Sequence, residues 1–325
     1  MTRIGTPFAI VAAISAAIAA PYLIYPEFLM QALCFALFAS AFNLLFGYAG
    51  LLSFGHAAFF GAGAYTAAYL MTAVSESPLM ALGAGMMTAG LLGAVIGGLA
   101  VRRSGVYLAM ITLSLAEIVY FVALHASFTG GEDGLQGVPR GRLLGIVDLD
   151  DARAMYFFTL AVYAAGTATL YRIVHSPYGA ILGAIKANEQ RALSLGYHVG
   201  RYKMLAFILS AVLSGLAGAL KALSLHFASL GDVYWHTSGD VILMTLLGGV
   251  GTLAGPSVGA FIVVALSDVL AQFGEWVNFI LGGVFVLCVL LFRRGIVGEI
   301  LARLPAAAAP AAKWRRWQSV EARER

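Results

Sequence analysis

Few side chains in this sequence could do chemistry, and none of them forms a catalytic or metal-binding set. His226 and His236 share one polar segment, but two histidines ten residues apart are weak support for a metal ion. The acidic stretch GGEDG at 130–134 lacks the alternating ligands and the closing glutamate of an EF-hand loop. The glycine-rich stretch GGVGTLAGP at 248–256 lacks the Gly-Lys-Ser/Thr ending of a phosphate-binding loop. The sequence therefore predicts no enzyme, no metal site and no cofactor.

Composition places the chain in a membrane. Of its 325 residues, 61% are hydrophobic and 11% are charged, and the mean hydropathy is +0.87. Soluble domains carry about 25% charged and about 45–50% apolar residues, so only a polytopic membrane protein fits. At about 20 residues per span, the length allows roughly eight to ten transmembrane segments. The predicted fold is an all-α membrane helix bundle with broken or re-entrant helices, residues 1–303, followed by a basic cytoplasmic tail, 304–325.

The placement of charge predicts the topology. The segment 172–203 has five Lys/Arg against one acid, which is typical of a cytoplasmic loop. The longest polar segment, 126–153, has three arginines against five acids and is predicted to be external. Both termini then lie in the cytoplasm, with either ten crossings or eight and a re-entrant segment. The first 25 residues mimic a signal peptide, but Pro21 after the small residues predicts an uncleaved first helix, 4–26.

The cytoplasmic loop 175–203 has the pattern of a helical hairpin. Ser176 and Pro177 suit the N-cap and first position of a helix, and Asn188 can cap a second, shorter one. Gly196 can end the second helix in a left-handed conformation. The first helix has an apolar stripe at helical spacing, Tyr178, Ile181, Leu182 and Ile185. The loop either presents its short helix to a partner or is a solvated connection between two spans.

Two apolar segments, 43–70 and 241–267, are interrupted by glycines. Non-helical backbone at membrane depth must be covered by protein or by a water-filled cavity, so such breaks point to the bundle centre or to a pathway. The alternative is close helix packing through small residues. Segment 241–267 is either two spans with a tight turn or a re-entrant pair that meets segment 43–70. The candidate pathway residues are Asn43, Gly50, Ser53 (a cap for a restarted helix), His56, Gly61, Gly63, Gly249, Gly251, Gly255 and Pro256.

Two charged residues lie within apolar runs. Glu117 lies past the midpoint of its span, toward the predicted outside, so a hydrated helix end is favoured over a pathway role. Lys221 lies near the predicted external end of its span. Because a long side chain can reach water from that position, Lys221 is expected to snorkel, and a buried functional lysine is the alternative.

Three stretches of this sequence resemble the permeases of branched-chain amino-acid ABC importers of the LivM type. They are the hairpin, segment 43–70 and the GGVGTLAGP stretch, and the resemblance covers roughly residues 30 to 292. The hairpin is similar to the family's coupling loop, whose acid, alanine and glycine would correspond to Glu189, Ala192 and Gly196. The resemblance implies that ATPase coupling involves Lys186, Asn188, Glu189, Arg191, Ala192 and Gly196.

The resemblance also implies the partners and the function. Such a permease would work with two cytoplasmic ATPase subunits, a second homologous permease, a periplasmic solute-binding protein and membrane lipid, and with no nucleic acid. It would import branched-chain amino acids across the bacterial inner membrane, or urea, short amides or another small solute. The main rival function is an ion-coupled secondary transporter, which usually needs intramembrane carboxylates. Only Glu117 qualifies for that role.

Overall fold

The structure is a computed structural model that describes residues 18–74, 76–143, 145, 147–274 and 295–303, with five further positions between 279 and 286. Within these ranges the chain is a bundle of helices, which confirms the predicted all-α polytopic fold. Most of the predicted first span, most of the predicted last span (276–292) and the whole basic tail lie outside the described residues.

Five of the described helices are long and apolar enough to cross a membrane, and the first of these includes the π-helix that follows α1. In chain order the helices are α1 (Pro26–Asn43), a π-helix (Leu44–Tyr48), α2 (His56–Ala73), α3 (Pro78–Ala100), α4 (Val106–His125), α5 (Ala152–Val174), α6 (Pro177–Ala187), α7 (Glu189–Ser194), α8 (Val199–Leu225), α9 (Trp235–Gly248), α10 (Gly255–Leu270) and α11 (Gly295–Arg303).

Helix α8 is the centre of the bundle and packs against α1, α2 and α3. Glycine makes the closest of these approaches feasible. A Cβ atom at Gly63 would clash with the backbone of Gly215, and one at Gly215 would clash with the side chain of Ala89. Three helices therefore meet backbone to backbone here, as small residues allow in membrane bundles.

One face of α3 remains apolar and uncovered in the structure. Its exposed side chains are spaced by four or seven residues, as expected for one face of a helix: Met80, Met87, Leu91, Val95 and Leu99. An apolar helix face of this length belongs in contact with lipid.

The segments predicted to be external meet at one end of the bundle, which we call the loop end. Strand β1 (Leu135–Gln136) pairs antiparallel with β4 (Phe227–Ala228), so the two loops share hydrogen bonds. Strands β2 (Arg142–Leu143) and β3 (Val147–Asp148) form a second short antiparallel pair. Short 3₁₀ helices complete the loops at Ser127–Thr129, Gly131–Asp133 and Leu230–Asp232.

The expectation that Lys221 snorkels is wrong. Its Nζ lies 2.8 Å from Oδ2 of Asp232, and the two side chains are only 4% and 8% exposed. Asp232 belongs to the loop after α8, which folds back onto the bundle and supplies the counter-charge. This fold-back could not be read from the hydropathy of α8 alone. Glu117 is partly buried, in the half of α4 nearer the loop end.

Candidate functional site: the hairpin and the broken helices

The hairpin formed by α6 and α7 has the predicted caps. Ser176 Oγ accepts a hydrogen bond from the Gly179 amide at 3.4 Å, and Asn188 Oδ1 accepts one from the Arg191 amide at 2.9 Å. Gly196 adopts φ = +84° after α7, where a residue with a Cβ atom would be strained. The local sequence thus determines where both short helices begin and where the hairpin turns back.

Some of the predicted coupling residues hold the hairpin together. Glu189 pairs with Lys203 of α8 at 2.7 Å, where the lysine side chain is 6% exposed and the glutamate 42%. Ala192 is buried against Ile185 and Val199 in a small cluster of its own. These contacts seat α7 on the start of α8, so a push on α7 would be carried into the long central helix.

The end of α7 and the residues after it expose large apolar side chains, which we call the apolar patch of the hairpin. Leu193, Leu195 and Tyr197 are 48%, 70% and 39% exposed. Arg191 is exposed beside them. Three exposed large apolar side chains within five residues are typical of a segment that contacts another protein.

Lys186 points toward the bundle. Its Nζ donates a hydrogen bond to the carbonyl oxygen of Gly47 at 2.6 Å, across 139 residues of sequence. Partial burial lowers the pKa of Lys186. Gly50, with φ = +73°, lies beside the same side chain, and a Cβ there would be 2.9 Å from Lys186 Cγ. The hairpin therefore touches the first broken helix directly.

The first predicted break is confirmed. After the π-helix the chain is irregular through residues 49–55, and α2 restarts at His56. Ser53 does not cap the restarted helix as predicted, because the N-cap is Gly55 and no side chain caps it. Ser53 is fully buried, and its Oγ accepts a hydrogen bond from the Gly55 amide at 3.2 Å. The irregular backbone is thus covered by protein.

His56 is fixed in the bundle by a hydrogen-bonded chain. Ser210 Oγ donates to the carbonyl of Ala41 at 2.6 Å, so the serine oxygen accepts from Nε2 of His56 at 2.8 Å. The imidazole packs edge to face against Phe42 and Phe59. This arrangement ties the start of α2 to α1 and α8.

The sequence left two roles open for the candidate glycines of segment 43–70, a break in the helix or close helix packing, and the structure shows both. Gly50 lies in the irregular segment. Gly61 and Gly63 lie inside α2, where a Cβ would clash with Val233 and with Gly215 respectively. These two positions serve close packing rather than a break in the helix.

The second break is a helical hairpin, α9 and α10, whose helices have 14 and 16 residues. Each is shorter than the about 20 residues of a full span. Gly249 and Gly251 form the turn with φ of +127° and +76°. Gly255 and Pro256 begin α10, and a Cβ at Gly248 would clash with the carbonyl of Gly255. The tight turn thus lies between two closely packed short helices.

The two broken segments meet, as one of the two alternatives for segment 241–267 expected, and Asn43 makes the contact. Its Oδ1 accepts a hydrogen bond from the Gly251 amide at 2.9 Å, and its Nδ2 donates to the Thr252 carbonyl at 2.8 Å. Asn43 itself is 3% exposed. One side-chain amide thus satisfies a donor and an acceptor of the α9–α10 turn.

A cavity of about 1060 Å³ lies between α1, α5 and α10. Its walls are mostly apolar but contain a row of hydroxyl groups. Tyr163 Oη donates to Ser257 Oγ at 2.7 Å. Ser257 Oγ lies 3.4 Å from Ser40 Oγ, which itself donates to the Ala36 carbonyl at 2.7 Å. Sequence reasoning missed Tyr163, Ser40 and Ser257, because their only signal was a hydroxyl inside an apolar run.

Comparison with known proteins identifies the family. A family model described as the permease component of branched-chain amino acid transport systems matches residues 24–289. The chain belongs to this family. It is a multi-pass membrane permease, and the family resemblance found in the sequence is confirmed.

Individual relatives are distant. The chain is 28% identical over 286 residues to the high-affinity branched-chain amino acid transport system permease protein LivM of Escherichia coli, covering 78% of this chain and 65% of that protein. It is 22% identical over 309 residues to a probable LivM of Methanocaldococcus jannaschii, covering 79% and 88%. The ribose import permease protein RbsC of Bacillus subtilis is 28% identical over 196 residues, or 56% and 58% of the two chains. No solved structure matches the chain.

Proposed function

We propose that this chain is the permease subunit of an ABC importer in the bacterial inner membrane and moves branched-chain amino acids. ATP would be hydrolysed by two separate cytoplasmic subunits, and this chain would catalyse no reaction. A second, homologous permease would complete the passage, and both termini would be cytoplasmic.

The observation that carries this proposal is the exposed apolar patch of the hairpin, Leu193, Leu195 and Tyr197. The patch follows a helix seated by Ala192 on α8, so a partner docked there would move α8 with it. A rigid seat and an apolar outer surface are what a lever driven by another subunit needs. A stand-alone secondary transporter needs neither.

The solute assignment draws on the relatives and on the cavity. Both LivM relatives are named as branched-chain amino acid permeases, whereas the ribose relative extends the family to sugars. The cavity between α1, α5 and α10 offers a largely apolar wall and a few hydroxyls. That balance suits an aliphatic amino acid better than a sugar, which would need many hydrogen-bond partners. Urea and short amides are the other candidates.

The loop end is the proposed docking face for a solute-binding protein. Its segment 126–153 carries a net charge of 3 − 5 = −2, opposite in sign to the hairpin. The β1–β4 ladder joins its two loops, so the surface is held in one shape.

Co-purification with the ATPases tests the proposal. Tagged wild-type permease should bring down two ATPase subunits and a second permease, and vesicles should accumulate leucine with internal ATP. Leu195→Glu should reduce ATPase recovery about tenfold or more, because a charge in the core of an interface is costly. Val147→Glu is the matched control, since it changes an exposed apolar residue at the loop end.

Two results would contradict the proposal. ATPases that remain bound to the Leu195→Glu permease would remove the hairpin from the interface. Uptake driven by an ion gradient with no ATPase present would favour the secondary transporter. Parallel uptake of leucine, ribose and urea decides among the solutes.

A further inference from the structure

Lys186 stands apart from the other charged residues of the hairpin. Glu189 pairs within the hairpin region, with Lys203. Lys186 instead reaches out of the hairpin and donates to the Gly47 carbonyl at 2.6 Å. A role in direct ATPase binding does not explain a side chain whose charged end is bonded to a membrane helix.

The acceptor is a carbonyl that needs a partner. The last carbonyls of any helix have no amide above them. At this helix end, the amides of Ala49 and Leu51 donate to Leu44 and Leu45, at 3.3 Å and 3.0 Å. A lysine is suited to the carbonyl of Gly47, because a cation near a helix C-terminus also meets the negative end of the helix dipole. Lys186 therefore caps the helix that the first break interrupts.

Gly47 lies between the lysine and the second broken segment. A Cβ at Gly47 would be 2.8 Å from the Gly251 amide nitrogen and would clash with the Asn43 side chain. Asn43 in turn bonds both Gly251 and Thr252. The hairpin, the π-helix and the α9–α10 turn are thus joined by three hydrogen bonds around one glycine.

We infer that Lys186 is a positioning residue that transmits movement of the hairpin to the α9–α10 turn, acting through the Gly47 carbonyl and Asn43. The inference rests on the proposed function, because it needs a docked ATPase to move the hairpin. When the hairpin shifts, the lysine pulls or releases the end of the π-helix. Asn43 lies on the preceding turn and carries that shift to Gly251 and Thr252.

Glycine at position 50 supports this role. Its φ of +73° turns the chain immediately after the capped helix, and Lys186 Cγ fills the space where a Cβ would be. The lysine stem is therefore packed against the turn that it caps. A solvated lysine would need no such fit.

The test is the ratio of ATP hydrolysed to leucine imported by the complete complex in vesicles. Lys186→Met keeps the length of the stem and removes the donor. We expect normal ATPase recovery, normal ATP hydrolysis and about tenfold slower leucine import, so that the ratio rises about tenfold. The maximal rate should fall while the leucine KM stays constant. Lys186→Arg should restore most of the import, because it keeps a cationic donor.

Arg102→Met is the matched control. It removes one exposed positive charge from the turn between α3 and α4, which the topology puts on the same side of the membrane. The ratio for this variant should equal that of the wild type.

Hydrogen exchange gives a second readout that does not depend on transport. In Lys186→Met the amides of residues 47–52 should exchange faster, while those of α8 should not change. An unchanged ratio and unchanged exchange in an assembled complex would overturn the inference. Loss of the ATPases from Lys186→Met would also overturn it, since the lysine would then belong to the docking surface. If the wild type itself shows no ATPases and no ATP-driven import, the proposed function fails instead.

Discussion

The loop end and the hairpin end of this permease are attached to the same bundle in opposite ways. At the loop end, the attachments are buried charges. Lys221 pairs with Asp232 below 10% exposure, and Arg140, 4% exposed, donates to the carbonyls of Ser224 and Asp150. Burial lowers the pKa of Arg140 although Asp150 is close. Water does not compete for such contacts, so the loops and the bundle should behave as one body.

At the hairpin end, the polar side chains that join the hairpin to the bundle are partly exposed to water. Glu189 is 42% exposed where it meets Lys203, and Lys186 is an exposed residue although its stem packs against Gly50 and its ammonium reaches Gly47. An ion pair with one partner partly in water, such as Glu189–Lys203, contributes about 0–1 kcal/mol to stability. We infer that the loop end is rigid, whereas the hairpin end is held weakly enough for a partner to move it.

The largest effect should come from Asp232→Asn. The change leaves the Lys221 ammonium buried without its counter-charge, and breaking one side of a buried pair costs roughly 3–5 kcal/mol. Unfolding in detergent should show this loss. Asp133→Asn, at an exposed acid of the same end, should change stability by less than about 0.5 kcal/mol.

A second variant sharpens that result. The double change Lys221→Met with Asp232→Leu removes both charges and should recover most of the stability. If Asp232→Asn is as stable as the wild type, the loop end is not fixed by this ion pair and the contrast between the two ends fails.

Asn43→Leu should have an intermediate effect. It nearly preserves side-chain volume but leaves the Gly251 amide and the Thr252 carbonyl without their partner. A buried polar group without a partner costs about 1–3 kcal/mol, so a loss of about 2 kcal/mol in unfolding free energy is expected. Ser214→Ala is a buried control in α8, where the hydroxyl donates to a carbonyl of its own helix at 2.8 Å. Equal stability of the two variants would show that the two broken segments are not held together by Asn43.

Glu189→Gln should have the smallest effect. The pair with Lys203 is exposed on the glutamate side, so the isolated permease should lose no more than about 1 kcal/mol. Thermal unfolding of permease alone measures this. A loss comparable to that of Asp232→Asn would mean that the two ends are equally rigid.

What the sequence could predict was local. The caps at Ser176 and Asn188, the left-handed turn at Gly196 and both helix breaks depend on residues within a few positions of each other, and all were found. The family was predicted from three short stretches and is confirmed by the match over residues 24–289.

What the sequence could not predict was long-range. The contact of Lys186 with Gly47 joins positions 139 residues apart, and nothing in the periodicity of either segment points to the other. The mistake about Lys221 has a different cause, because its partner is only 11 residues further on but lies in a loop that folds back onto the bundle. The hydroxyl row of the cavity also depends on two contacts that cross between helices.

The π-helix at Leu44–Tyr48 holds one residue more than ordinary α-helical winding would hold over the same path. Deleting one residue inside the π turn would let the chain return to α-helical winding, so the residues on either side would stay close to their present places. The same deletion within α1 would rotate every side chain beyond it by about 100° around the axis and shorten the helix by about 1.5 Å. We therefore expect Leu44–Tyr48 to be the part of this helix where the loss of one residue disturbs the neighbouring contacts least.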